Sequence, residues 1–341
     1  MGKVKIILLD TGVDTSHPYL SKNIDKVYML DYENKRLVLK KKQKDFNGHG
    51  TACASVIRKE CPKVEIISVQ LLDKDGECRF NQFELAMECI GDIEADLISL
   101  SLAVIDCTEL DSLKKICHKL NKQNKTIIAS LGNHMKSSYP ANFMECLGVQ
   151  GAILDSSETL WFNKIKKIQC VVDSTPYLHC DLNKGYRMFG KCNSYAAAKI
   201  TGILAREISA GNLSSSMESC EKCLESISSR QHWTQWSIRK SRRFPDVYRY
   251  KGMVDEQIVK EVEIYLKRKF SLCNDKDIRE MRLLSSEVGL QYYQCYGLIR
   301  EMEKLFLFEI KDYTQISREV FYSIYSLAFF IERHLEERKV H

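Results

Sequence analysis

Short apolar runs alternate with stretches of helical period through roughly residues 1–210, and this rhythm leaves few folds open. Residues 4–9, 64–72, 96–102, 125–131, 146–153 and 168–173 are largely apolar, bounded by turn residues and too short for buried helices. Runs of that kind read as strands covered on both faces. Between them the spacing predicts a helix over residues 52–60 and a second over about 81–93, with Phe83, Met87 and Ile90 on one face. An amphipathic third covers 110–121. Strand and helix in turn argue for an α/β fold, a mainly parallel sheet flanked by helices and joined by right-handed crossovers. Active sites of such sheets open at the carboxyl ends of the strands. Asp10 and the pair Gly132 and Asn133 stand at such ends.

The last element of this half is the run CNSYAAAKITG, residues 192–202. Asn193 reads as an N-cap, and Tyr195 with the three alanines after it favours helix. Ala197, Ile200, Thr201, Leu204 and Ile208 recur at helical spacing, which predicts one buried stripe. Ser194 then falls in the first turn, where unpaired N–H groups and the positive end of the helix dipole stabilise an oxyanion. Alone, such a run is most often a plain helix start.

Composition narrows the function classes. The 341 residues, 44% of them hydrophobic, leave room for two domains. A net charge of +6, with basic and acidic residues interleaved, does not suggest nucleic-acid binding. The basic run over residues 40–44 reads as part of a solvated hairpin. No apolar stretch of about 18 residues occurs, so no membrane span is expected. The apolar N-terminus is interrupted by Asp10 and has no small-residue cleavage site, so it reads as a first strand. The fourteen cysteines are scattered. Without an export signal they are expected as free thiols in a reducing cytoplasm. The single CxxC at Cys220 and Cys223 has no second pair, which argues against zinc.

Asp10, then His49 between two glycines, then Ser194 follow the chain order of the subtilisin triad. The surrounding text resembles the same family at five places: LLDTGVD, NGHGTACAS, DLISLSLA, IIASLGN followed by SYPANF, and CNSYAAAKITG. The chain is therefore identified over residues 1–210 as similar to subtilisin-like serine peptidases. The resemblance implies Ser194 as nucleophile, His49 as general base and Asp10 as its orienting carboxylate. It implies Asn133 as an oxyanion-hole donor beside the Ser194 N–H. Ser101, Leu102 and Ala103 would form one wall for an extended substrate, and residues 76–80, beginning with Gly76, the opposite wall. The serine motif departs from the family at Cys192, Asn193, Ala198 and Lys199, none of which removes a catalytic group. No Asp- and Asn-rich calcium loop and no propeptide ahead of the first strand are recognisable. Activity without calcium, metal or cofactor, and without removal of the N-terminus, is expected.

Residues 211–254 read as a Ser-rich, then basic and aromatic connector with one helix over about 218–227. Trp233 and Trp236 are expected to pack on a domain rather than stack on bases. From residue 255 to 335 the pattern is all helical, with stripes at Ile258, Val262, Tyr265 and Leu266, at Leu298, Ile299, Met302, Leu305 and Phe306, and at Phe321, Ile324, Leu327, Ala328 and Ile331. This part resembles a small acyl-carrier-protein bundle, with Tyr292 where carriers have the serine that bears the prosthetic arm. Domain for domain, the chain resembles peptidases of ribosomal peptide maturation systems. That resemblance implies a cytoplasmic endopeptidase that removes a leader from a modified, Cys-rich peptide. The helical domain would dock the precursor or a peptide-modifying enzyme. A general intracellular subtilase for protein turnover and a non-catalytic peptide-binding scaffold are the alternatives.

Overall fold

The structure, a computed structural model, describes residues 3–104, 110–241, 243, 245–272 and 277–339. Nine strands form one sheet: β1 (Lys5–Asp10), β2 (Ile24–Asp31), β3 (Arg36–Lys40), β4 (Glu65–Gln70), β5 (Leu97–Leu100), β6 (Thr126–Ser130), β7 (Leu147–Ala152), β8 (Leu160–Phe162) and β9 (Cys170–Asp173). Their order is β3-β2-β4-β1-β5-β6-β7-β9-β8. The edge strands β3 and β8 pair antiparallel with their neighbours. All pairings between them are parallel. The chain leaves β1 for β4 on one side, then returns to β5 and β6 on the other. That reversal creates a crevice at the carboxyl ends of β1 and β5.

Both faces of the sheet are covered, which is why its strands are apolar without alternation. Ile7 and Leu9 of β1, with Ile67, Val69, Ile98, Leu100, Ile127 and Ala129, pack under α2 (Phe80–Cys89) and α3 (Leu110–Lys122). Phe83, Met87 and Ile90 face inward from that layer, as their spacing predicts. The alternate residues turn to the other side. There α4 (Asn193–Ser209) lies on the sheet beside α1 (His49–Glu60). Ser99, between two residues of the first face, meets Thr201 of α4 through a 3.1 Å hydroxyl hydrogen bond.

Helix α4 differs from the predicted stripe. Every residue from Asn193 to Ala205 is buried, whereas Ile208, assigned to the stripe, is only half-buried. Its outer side is closed by α1. At Gly202 a β-carbon would stand 2.5 Å from Glu60 Cβ and 2.9 Å from the Ile57 carbonyl, so this close approach excludes any side chain. The burial includes Lys199, whose ammonium donates to the Ser157 carbonyl at 2.6 Å and the Asp173 carbonyl at 3.3 Å. A buried ammonium needs such partners.

The chain divides into two compact units, residues 1–175, 180–184 and 190–242, and residues 176–179, 185–189 and 243–341. The first unit keeps α5 (Met217–Ile227) and α6 (Gln235–Lys240), so much of the expected connector belongs to it. Trp233 packs on Trp161, ring centroids 6.1 Å apart, while Trp236 is 64% exposed under the Lys240 ammonium. Only one of the two tryptophans therefore packs as expected.

The second unit centres on α7 (Glu256–Lys269), α8 (Cys295–Phe306) and α9 (Ile324–Lys339). Val262, Leu266, Leu298, Ile299, Met302, Phe321, Leu327 and Ile331 form its core. Leu305, expected in the stripe of α8, is exposed. A small sheet of β10 (Tyr177–Cys180) and β11 (Tyr186–Phe189) contributes Leu178 and Met188 to the same core, an addition the helical reading did not foresee. Buried Glu303 accepts the Ile310 N–H and the Tyr313 hydroxyl, fixing the chain beyond α8. No helix among the described residues is long and apolar enough to cross a membrane.

Candidate active site

Asp10 is the last residue of β1 and is almost fully buried. Its Oδ1 accepts the Thr11 N–H at 2.8 Å and lies 2.7 Å from His49 Nδ1. His49 is the first residue of α1, and its position is built by a residue that sequence reasoning passed over. Asp45, 2% exposed, accepts the Asn47 and Gly48 N–H groups on one oxygen, each at 2.9 Å. Its other oxygen accepts the Thr51 N–H at 3.0 Å and the Thr51 hydroxyl at 2.7 Å. Asp45 thus satisfies helix donors that an N-cap would otherwise take. The available signal was an acid ahead of a helix start. A left-handed Gly48 between the acid and the helix hid it.

Thr11 ties this loop to β1. Its hydroxyl donates to Asp45 Oδ1 at 3.0 Å and accepts the Gly50 N–H at 3.0 Å. A β-carbon at Gly50 would stand 2.1 Å from the Gly12 carbonyl and 3.0 Å from Asp10 Cβ. The glycine after His49 is what lets α1 start against the end of β1.

Ser194 is the second residue of α4, and its hydroxyl donates to the Ser101 carbonyl at 3.4 Å. Ser101 also reaches the histidine side: its Oγ is 3.5 Å from Cys53 Sγ, which is 3.9 Å from His49 Nδ1. Ser194 and Asn133 line one cleft of about 400 Å³. Ser101, Leu102, Ala103 and Met135 line the same cleft, and Leu72, Gly76, Glu77 and Cys78 also line it. Of residues 76–80, the last two leave the wall: Arg79 caps α2 and Phe80 begins it.

Asn193 does not cap α4. Cys192 holds the N-cap position, and Asn193 is buried as the first helical residue. Its amide donates to the Leu131 carbonyl at 2.8 Å and accepts the Gly151 N–H at 2.9 Å, clamping the ends of β6 and β7 to the helix. Its own backbone N–H donates to Asn133 Oδ1 at 3.1 Å.

Burial disfavours an imidazolium at His49. The Asp10 carboxylate and its hydrogen bond outweigh it and hold the ring well above the ordinary histidine range. Burial pushes the Cys53 and Cys192 thiols up, so both stay protonated and poorly nucleophilic at neutral pH. Asp10, His49 and Cys53 bring three ligand-type atoms within 4.8 Å of one another. The carboxylate and imidazole are hydrogen-bonded to each other at 2.7 Å.

The subtilase family model matches residues 2–231. The chain belongs to the subtilase family. Its members are serine peptidases, hydrolases that act on peptide bonds. This subtilase is 28% identical over 225 residues to the major intracellular serine protease of Bacillus subtilis, a match covering 59% of this chain and 67% of that protein. It is 23% identical over 220 residues to an intracellular serine protease of Paenibacillus polymyxa, covering 59% and 65%. Thermitase of Thermoactinomyces vulgaris is 26% identical over 157 residues, covering 42% and 53%. Among solved structures, Sphericase superposes with a TM-score of 0.53 at 17% identity, over 66% of this chain and 85% of that one. A cold-adapted subtilisin-like serine proteinase superposes at 0.52 and 17%, over 65% and 81%. Both show the subtilisin-like fold.

Proposed function

We propose that this subtilase is a serine endopeptidase in which Ser194 attacks the scissile carbonyl. His49 takes the hydroxyl proton and later delivers it to the leaving amine. Asp10 holds the Nδ1–H tautomer and stabilises the imidazolium. Asn133 Nδ2 and the Ser194 N–H donate to the oxyanion. An extended substrate lies between Ser101, Leu102 and Ala103 on one wall and Gly76 on the other. The observation that carries this reading is the direct Asp10–His49 bond beside a cleft lined by Ser194 and Asn133. Asn133→Ala is expected to lower kcat about 10²–10³-fold with KM little changed. Steady-state kinetics on a short peptide check it, and a loss carried in KM alone assigns Asn133 to substrate binding instead.

We further propose a maturation role in the cytoplasm, the removal of a leader from a ribosomally made, modified peptide. The second unit serves as the docking module for the precursor or for a peptide-modifying enzyme. In this reading it is a carrier-like bundle without a prosthetic arm, since Tyr292 stands in the serine's place. One tyrosine of that region supports a surface role. Tyr293 is 79% exposed, whereas Tyr296 packs on Tyr186 and Tyr313, and Tyr292 packs against the core of its own unit. The test compares cleavage of a leader-bearing precursor encoded beside this gene with cleavage of an unrelated unfolded protein. Leader-dependent preference supports maturation. Equal rates favour general turnover, the reading closest to the relatives named as intracellular serine proteases.

A further inference from the structure

We propose that Glu77 selects substrates carrying a cationic side chain, lysine or arginine, close to the scissile bond. The proposal rests on the cleft being the peptide-binding groove, as read above.

Among the described residues, Glu77 is the one formally charged residue in the lining of the cleft that holds Ser194 and Asn133. Leu72, Leu102, Ala103 and Met135 make much of the remainder apolar. Such a groove accepts the methylene stem of lysine or arginine along its walls while the charged head reaches the rim. A neutral groove would leave that head without a partner.

The backbone under Glu77 is held in place. Asp73 Oδ1 accepts the N–H of Asp75 at 2.9 Å and of Glu77 at 3.0 Å, and the Asp73 N–H donates to the Glu77 carbonyl at 2.9 Å. Gly76 takes the left-handed φ of 82° that this turn requires. Asn47 Nδ2 donates to the Lys74 carbonyl at 2.9 Å, which anchors the turn to the loop before His49. The rim and the histidine are therefore parts of one connected structure.

The other acids of the turn are already engaged. Asp73 is occupied by backbone N–H groups, which hold its carboxyl below the usual range. Asp75 pairs with Lys74 at 2.8 Å. Glu77 is exposed, and among the described residues its carboxylate has neither a hydrogen bond nor an ion pair. It is the acid of this rim that a substrate cation meets without first breaking a bond.

The contact is solvent-exposed, so the expected preference is modest, about threefold to tenfold in kcat/KM for arginine over glutamine at the position concerned. It weakens as salt rises, because the pair is screened. The test uses fluorogenic peptides in which arginine, glutamine or glutamate is moved through each position flanking the scissile bond. They are assayed with the full chain, with Glu77→Gln and with Glu77→Arg. Arginine-to-glutamine ratios are compared within each enzyme, so the amount of folded protein cancels. The expected result is a preference for arginine at one position, lost in Glu77→Gln, reversed toward glutamate in Glu77→Arg and reduced at high salt. A preference for arginine that survives Glu77→Gln, or no preference in the wild type, overturns the proposal while leaving the peptidase reading intact. Failure of the wild type to cleave any peptide, with no labelling of Ser194 by a fluorophosphonate, overturns both.

Discussion

Ser194→Ala is expected to lower peptide hydrolysis by about 10⁴–10⁶-fold and to leave the fold intact. The size of the loss follows from the chemistry proposed for the hydroxyl. The adjacent Cys192 does not replace it as a nucleophile, because burial keeps its thiol protonated. The small structural cost follows from its place. Alanine is favourable inside a helix. The bond given up, to the Ser101 carbonyl, is long at 3.4 Å. A net contribution of about 0.5 kcal/mol, the low end for one hydrogen bond, is the most it is expected to supply. Kinetics on a peptide substrate, labelling by a fluorophosphonate and a thermal melt measure the three consequences. Near-normal turnover by the variant removes Ser194 from the nucleophile's role.

Asp10→Asn is expected to lower kcat about 10²–10⁴-fold, by a different route. Oδ1 accepts the Thr11 N–H as well as meeting His49 Nδ1, so the amide oxygen keeps that place and the N–H₂ takes the place of Oδ2. The imidazolium formed when His49 takes the Ser194 proton then has no counter-charge. The pH dependence carries a second signature. With Asp10 charged, His49 is held well above its ordinary value, and a general base must be neutral. Wild-type kcat/KM therefore rises with pH as His49 loses its proton above the ordinary histidine range. Loss of the carboxylate moves that acid limb to lower pH.

Stability follows the same linkage with its sign fixed by a raised folded pKa. Protonation of His49 stabilises the wild type fully below the unfolded value, about 6.5. That contribution disappears as pH rises through the folded value. Melting midpoints across this window should slope in the wild type and flatten in Asp10→Asn. An acid limb that stays in place in the variant means that another group holds the histidine.

Much of the first unit was legible in the residues because its sheet is covered on both sides. Strands such as β1, β5 and β6 are mostly apolar and almost wholly buried, so their positions follow from composition within short windows. The one face of α2 follows from Phe83, Met87 and Ile90. Asp10 and Asn133 stand out because they follow the ends of such runs, and Ser194 because it falls in the first turn of a helix. These are local signals, readable within a few residues.

The rest depended on partners distant in the chain. The sequence alone assigned α4 one buried stripe. Its burial on every side exists because α1, some 140 residues earlier, closes the outer face at Gly202. Asn193 looked like a cap, yet its amide is spent on Leu131 and Gly151, from strands that no local rule places beside it. Asp45 holds the start of α1 across a left-handed glycine, at a spacing outside the usual cap position. Residues 176–179 and 185–189, between two parts of the first unit, pack instead into the core of the second. By itself the sequence determined the buried parallel strands of the first unit, most of the helices and which residues can do chemistry, because burial and hydrogen-bonding capacity are properties of each residue; the partly exposed strands β2 and β3 and the short β8, β10 and β11 carry no such local signal. Only the tertiary structure decided which of them meet, because such contacts form between surfaces whose separation along the chain leaves no periodic trace.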